Sequence, residues 1–307
     1  MKIALPDLIS NSYFPAVAAA ELGAFKAEGV DMTLELIYPV DACYRALKEG
    51  KVDFVAGSAH SVLAAFPEWQ GAKLLCAQSQ GMYWFLVMHK EFGAKRGDLT
   101  AVKGRSIGAA PWVDIGLKRM LIAGGIDLER DNVKVQPVPG FGGGSISFGV
   151  TAARAMIDRK IDGFWANGMG AEVAVTSGHG TLVADVRRGD GPKVAFNFTQ
   201  PTIATTDAMI QNNPDTCAAV IRAITRTHRL LKADVKRATE VGRKLFPEQE
   251  AGLIAQVVAR DFPFYDARIT PEFVAGMNAF ARDCGVLKGS PSFDQVVATQ
   301  FRDLWTK

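Results

Sequence analysis

The residues of this chain best placed to do chemistry are a tryptophan and an aspartate two positions apart. Pro111-Trp112-Val113-Asp114 sets an indole and a carboxylate at the opening of a helix-like run. An indole stacks on a flat ring and a carboxylate accepts N–H donors, so the pair suits a ring bearing amino groups. Asp114 has a second reading, as an acid favoured in a first helical turn by the helix dipole. Gln78, Ser79, Gln80, Tyr83 and Trp84 bring amides and aromatics into one short segment, fit for a flat polar ligand or for packing a hinge. Ser58 and His60 end a short apolar run, where the imidazole either meets a ligand or is structural.

Other chemistries find less support. No serine lies in a nucleophile elbow and no pair of catalytic carboxylates stands out. His89, His179 and His228 have no metal-ligand spacing, so no metal is expected. Cys43, Cys76, Cys217 and Cys284 lie far apart without a CxxC pair and read as single buried thiols. The run GFGGGS, residues 140–145, lacks a G-K-[S/T] ending and falls late in its βα unit. It reads as a loop lining a cleft, with Phe141 at its tip, and not as a nucleotide cradle; no cofactor is expected.

Bulk properties narrow the class. The chain has 307 residues, 48% hydrophobic and 22% charged, with a formal net charge of +3. That is ordinary for a globular protein, and the scattered Lys and Arg give no nucleic-acid stripe. No apolar run reaches the ~18 residues of a membrane span. Met1-Lys2 leads straight into a strand-like run, which fits either a cytoplasmic protein or one whose signal segment has been removed. Four free thiols fit a reducing compartment better than an oxidising one.

The elements that must position these residues alternate. Residues 2–9 read as a strand, with Asn11-Ser12 capping the helix YFPAVAAAELGAF. MTLELIY is a strand; Asp41 caps the helix DACYRALKEG; VDFVAG is a strand, SVLAAFPEW a helix and KLLCAQS a strand. From WFLVMHK to TLVADV a second alternating series runs over residues 84–190. KVAFNFTQPTIATT reads as a strand returning to the first series, and residues 235–307 as mostly helical. The expected fold is α/β, with lobe 1 at 1–83 and 195–307, lobe 2 at 84–194, and two crossings between them. Ligands of open α/β sheets sit at strand carboxyl ends, so the cleft between two such lobes is the expected site.

One passage occurs twice. ALKEGKVDFVAGSAH, residues 46–60, and ARAMIDRKIDGFWANG, residues 153–168, each run from an apolar helix through a basic turn and (V/I)-D into a short strand. Gly57, Ser58, Ala59 and His60 end the first; Trp165, Asn167 and Gly168 end the second. Asp53 and Asp162 read as structural turn holders.

With GAFKAEGVDMTLEL, VKGRSIGAAPWVDIGLKRML…GGID and MIDRKIDGFW, these passages resemble the solute-binding proteins of ABC importers with the type II periplasmic binding fold. More narrowly, they are similar to the family handling aliphatic sulfonates, nitrate and thiamine pyrimidine precursors. The likeness covers residues 3–230 in order. It implies a periplasmic monomer that closes its lobes on a small ligand and delivers it to an importer permease. It also implies ligand contacts at Asn11, Ser12, Tyr13 and Phe14. Oxyanion-binding relatives carry small hydroxyl residues where this chain has Trp112 and Asp114, a departure that disfavours sulfonate or nitrate. A thiamine pyrimidine precursor is the expected ligand class, with Tyr13, Tyr83, Trp84, Trp112 and Trp165 stacking and Gln80, Asp114 and Asn167 reading its edges. The same resemblance leaves an enzyme open, a pyridoxal-phosphate-dependent pyrimidine synthase or an aromatic-acid decarboxylase using Lys51 and His60. The synthase relatives' cysteine-rich iron motif is absent from this sequence. A cytosolic sensor domain is a third possibility.

Overall fold

The computed structural model describes residues 1–141 and 146–306. The chain forms two compact units, Met1–Gln80 with Thr199–Lys307 as unit 1 and Gly81–Phe198 as unit 2.

Unit 1 opens with β1 (Lys2–Leu5), α1 (Phe14–Glu21), α2 (Ala24–Ala27), β2 (Thr33–Leu36), α3 (Val40–Lys48), β3 (Phe54–Ser58) and β4 (Ala72–Ala77). Unit 2 follows with β5 (Phe85–His89), β6 (Ser106–Ala109), α4 (Asp114–Ala123), β7 (Lys134–Gln136), α5 (Phe148–Ile157), β8 (Gly163–Ala166), α6 (Gly168–Thr176) and β9 (Gly180–Asp185). The chain returns to unit 1 through β10 (Pro201–Thr206), α7 (Asp207–Asn212), α8 (Pro214–Ala233), α9 (Lys236–Leu245), α10 (Glu248–Asp261), α11 (Pro271–Asp283) and α12 (Phe293–Val296).

Among the described residues each unit holds one five-stranded sheet. The orders are β2-β1-β3-β10-β4 and β7-β6-β8-β5-β9. In both, the fourth strand runs antiparallel to its neighbours and the others run parallel. β3, β5 and β8 are buried along their whole length, as strands covered on both faces must be. Their apolar runs, FVA, FLVM and FWA, supply that burial. α8 buries Val220, Ile221, Ile224 and Leu231 along one face and turns Arg226 and Arg229 outward.

The structure departs from the sequence expectation in several places. SVLAAFPEW is no α-helix: it forms 3-10 turns at Ala59–Ala64 and Pro67–Trp69. Pro67 lacks a donor, and Glu68 and Trp69 take left-handed backbone with φ of 56° and 61°, which ends any helix. β1 stops at Leu5, immediately before Pro6. Residues 193–197 form a 3-10 turn, and β10 starts only at Pro201. Asp41 is not a cap: Pro39 holds that position, and Asp41 lies in the first turn of α3, 2.6 Å from Arg45 one turn on. Among the described residues no helix is long and apolar enough to cross a membrane.

Candidate functional site

The two copies of the repeated passage have one structural job. In unit 1 the Asp53 carboxylate accepts from the Lys2 backbone N–H at 2.7 Å, while its own N–H donates to the Lys2 carbonyl at 2.9 Å. In unit 2 Asp162 accepts from the Ser106 N–H at 2.8 Å and donates to the Ser106 carbonyl at 2.9 Å. Each aspartate thus ties its strand to the first residue of the neighbouring parallel strand. That pairing aligns β3 with β1, and β8 with β6, and brings their carboxyl ends out along one sheet edge.

In unit 1 that edge is polar and buried. The carboxyl ends of β1, β3 and β4 and the amino end of the antiparallel β10 share it. They deliver Ser10, Asn11 and Ser12; Ser58, His60 and Ser61; Gln78 and Ser79; and Thr199 and Gln200. All ten are buried. Ser58 and Ser61 hydroxyls lie 2.6 Å apart, Ser61 Oγ is 3.4 Å from His60 Nε2, and His60 Nδ1 is 2.9 Å from Thr199 Oγ1. Phe280 packs edge-on against the imidazole, ring centres 5.4 Å apart. A Cβ on Gly57 would lie 2.9 Å from the Tyr44 hydroxyl, so the glycine lets Tyr44 reach the Ser58 carbonyl at 2.9 Å.

Several polar atoms on this edge have no hydrogen-bond partner among the described residues. They are Ser10 Oγ, Asn11 Oδ1, Ser12 Oγ, Ser79 Oγ and Gln200 Nε2. Buried polar groups are normally satisfied, because burial without a partner forfeits hydration. Five at one edge make a place where a polar ligand would replace the missing bonds.

Unit 2 presents an aromatic edge. The carboxyl ends of β6, β8 and β9 and the amino end of β5 lie together. Tyr83 and Trp84 lead into β5 with ring centres 4.6 Å apart, and Trp84 meets Trp165 at 6.3 Å. All three are buried, and Trp165 Nε1 has no partner among the described residues. Trp112 is half-buried with φ of 66°, a left-handed conformation unusual for a bulky residue and a mark of local strain. Asp114 is the first residue of α4 and pairs with Lys118 at 2.6 Å.

Other expected site residues have structural partners. Tyr13 is the N-cap residue of α1 and is buried; Phe14 lies in the core against Phe246, ring centres 6.3 Å apart. Asn11 and Ser12 give α1 no side-chain cap. Gln80 donates its amide to the Asp266 and Arg268 carbonyls, each at 2.8 Å, which leaves that nitrogen committed to the fold. Gln78 accepts from the Ala16 N–H at 3.2 Å. Asn167 caps α6 by accepting from the Met169 and Gly170 N–H groups at 3.0 and 3.2 Å. Phe141 meets Phe148 edge-on at 5.1 Å; residues 142–145 of the glycine-rich loop lie outside the described residues. With Lys118 beside it, the Asp114 charge is offset, which weakens the expectation that it repels an anion.

Sequence reading missed Ser10, Ser61, Thr199, Gln200, Asp261 and Tyr265. Thr199-Gln200 before Pro201 was a visible polar pair at a strand start. Asp261 and Tyr265 gave no local signal, since they act on Asn11 from 250 and 254 residues away. Cys43, Cys76 and Cys217 are buried, and burial pushes the Cys217 thiol up to about 12.

Comparison with known proteins places this geometry. The family model described as NMT1/THI5 like matches residues 10–238. The riboflavin-binding protein RibY of Chloroflexus aurantiacus is 23% identical over 325 residues, covering 97% of this chain and 85% of RibY. A solved structure from Bordetella bronchiseptica RB50 superposes with a TM-score of 0.74 at 20% identity, covering 97% of this chain and 92% of that one. The alkanesulfonate-binding protein SsuA of Xanthomonas axonopodis pv. citri, bound to MOPS, superposes with a TM-score of 0.72 at 12% identity, covering 98% and 96%. The fold of this chain is the two-unit α/β fold of these two solved structures.

Proposed function

This chain belongs to the NMT1/THI5-like family, and on that premise we propose that it is the substrate-binding protein of an ABC importer. Its ligand is a small, flat, nitrogen-bearing aromatic solute of the thiamine-pyrimidine-precursor kind. The importer permease is its partner, and it works as an exported, periplasmic monomer that does no chemistry on its cargo. The observation that carries this reading is the set of buried, unpartnered polar atoms at the strand ends of unit 1: Ser10, Asn11, Ser12, Ser79 and Gln200. These are neutral donors and acceptors, the kind that read the edge of a heterocycle. The aromatic edge of unit 2, with strained Trp112 and the unpartnered indole N–H of Trp165, suits the face of such a ring. RibY, by its name, binds riboflavin, whose ring is flat and nitrogen-rich, and this supports the class. SsuA carries a sulfonate, so sulfonates are the competing class.

A thermal-shift screen of pyrimidines, sulfonates and aromatic acids tests the reading. Stabilisation by pyrimidines is expected, since a ligand that binds only the folded state raises Tm by mass action. Stabilisation by sulfonates alone would reject the ligand class.

A further inference from the structure

Resting on the reading that this edge binds a small solute, we propose that Asp261 fixes the polarity of the site. It holds the Asn11 amide so that only the carbonyl oxygen faces the ligand, and the site therefore selects ligands that offer an N–H or O–H donor.

Asp261, the last residue of α10, is wholly buried. The Asn11 Nδ2 donates to its Oδ2. An amide can turn either end toward a neighbour, but a carboxylate only accepts, so the NH2 end is the one that must face Asp261. The Tyr265 hydroxyl donates to the Asn11 carbonyl at 2.8 Å and pins the backbone. What remains is Asn11 Oδ1, buried and without a partner among the described residues. It accepts and cannot donate. A ligand N–H or O–H would satisfy it; a bare oxyanion would set lone pairs against lone pairs.

The source of this control is the C-terminal segment. The family model ends at residue 238, yet residues 261–268 hold both flanks of the edge. Asp261 and Tyr265 hold Asn11, while the Phe264 carbonyl accepts from the Gln80 N–H at 2.8 Å and the Asp266 and Arg268 carbonyls take the Gln80 amide. Asp261 is a positioning residue: it acts on the ligand only through Asn11. Selectivity is thus written partly outside the stretch that the family model matches.

The test pairs two isosteric probes, 4-amino-2-methylpyrimidine and 2,4-dimethylpyrimidine, which differ only in the donor, with butane-1-sulfonate as the donor-free anion. Calorimetry on the wild-type protein should favour the amino compound by roughly tenfold. In Asp261→Asn the Asn11 amide is free to turn, and that ratio should fall to about threefold or less. The exchange Asn11→Asp/Asp261→Asn should restore it, because the carboxylate at 11 again offers an acceptor; it also serves if the single variant does not fold. An equal affinity for both pyrimidines in the wild type, or an unchanged ratio in Asp261→Asn, overturns the proposal. Binding of butane-1-sulfonate alone does the same. Should the wild type bind none of the three, the solute-binding reading fails, and the Asn11 side-chain NH2 signals still judge Asp261. They should shift in Asp261→Asn, and their constancy would overturn the hold.

Discussion

Position for position, the repeated passages diverge after their shared aspartate. Ala56 stands where unit 2 has Trp165, Ser58 where it has Asn167, and His60 where it has Met169. The turn before the aspartate is the same in both. Lys51 and Lys160 each donate their N–H back to an alanine carbonyl five residues earlier, Ala46 and Ala155, at 2.9 Å. Gly50 and Arg159 both adopt left-handed backbone there, with φ of 70° and 63°. So the scaffold chemistry is kept and the strand-end chemistry changes: hydroxyls and imidazole in unit 1, indole and a helix cap in unit 2.

Replacing Trp165 by alanine, the residue unit 1 has there, tests that division most severely. The wholly buried indole should cost about 3–5 kcal/mol of stability, read by urea denaturation. A loss under about 1 kcal/mol would mean that unit 2 tolerates the unit 1 pattern.

Acid should separate the units next. His228 of unit 1 is buried, with its Nε2 donating to the Gln78 carbonyl at 2.8 Å. Desolvation foremost, with the nearby Lys232 and Arg229 charges, holds its pKa down to about 4 against an ordinary 6.5. The unfolded chain takes up that proton near 6.5 and the folded chain only near 4. The His228 contribution to stability is therefore full above 6.5, drains as pH falls through this window, and is gone below it, a loss of about 3 kcal/mol. Tm followed from pH 7 to 4 should fall steeply in the wild type and less in His228→Gln; parallel curves would remove His228 as the cause. His89 of unit 2 is also lowered, by desolvation first and by Arg159, but it stands at the far end of its strand from the aromatic edge.

The aspartates come third. Asp162→Ala and Asp53→Ala should each cost about 1–3 kcal/mol, with Asp162 the larger because it also accepts from the Ser106 hydroxyl at 3.0 Å. Denaturant midpoints check both, and a loss confined to one unit would break their equivalence. The smallest effect belongs to Gly50→Ala, about 1 kcal/mol for an alanine in left-handed backbone.

Much of this was legible in the sequence. The alternation of elements, the division into two units and the structural role of Asp53 and Asp162 follow from patterns of a few residues. Local signals failed where a distant partner claimed the residue. Asn11 looked like a helix cap but spends its amide on Asp261, and Gln80 looked like a ligand reader but serves the carbonyls of residues 266 and 268. The buried hydroxyls of unit 1 are spread over four separate strand ends. No window of neighbouring residues holds those four together, so only the sheet order reveals them.

The most direct test is a calorimetric titration of the unaltered protein with 4-amino-2-methylpyrimidine and, separately, with butane-1-sulfonate. Saturable one-to-one binding of the pyrimidine and none of the sulfonate is expected if neutral buried groups at the unit 1 strand ends await a donor-bearing ring. Saturable binding of the sulfonate with a silent pyrimidine would contradict it.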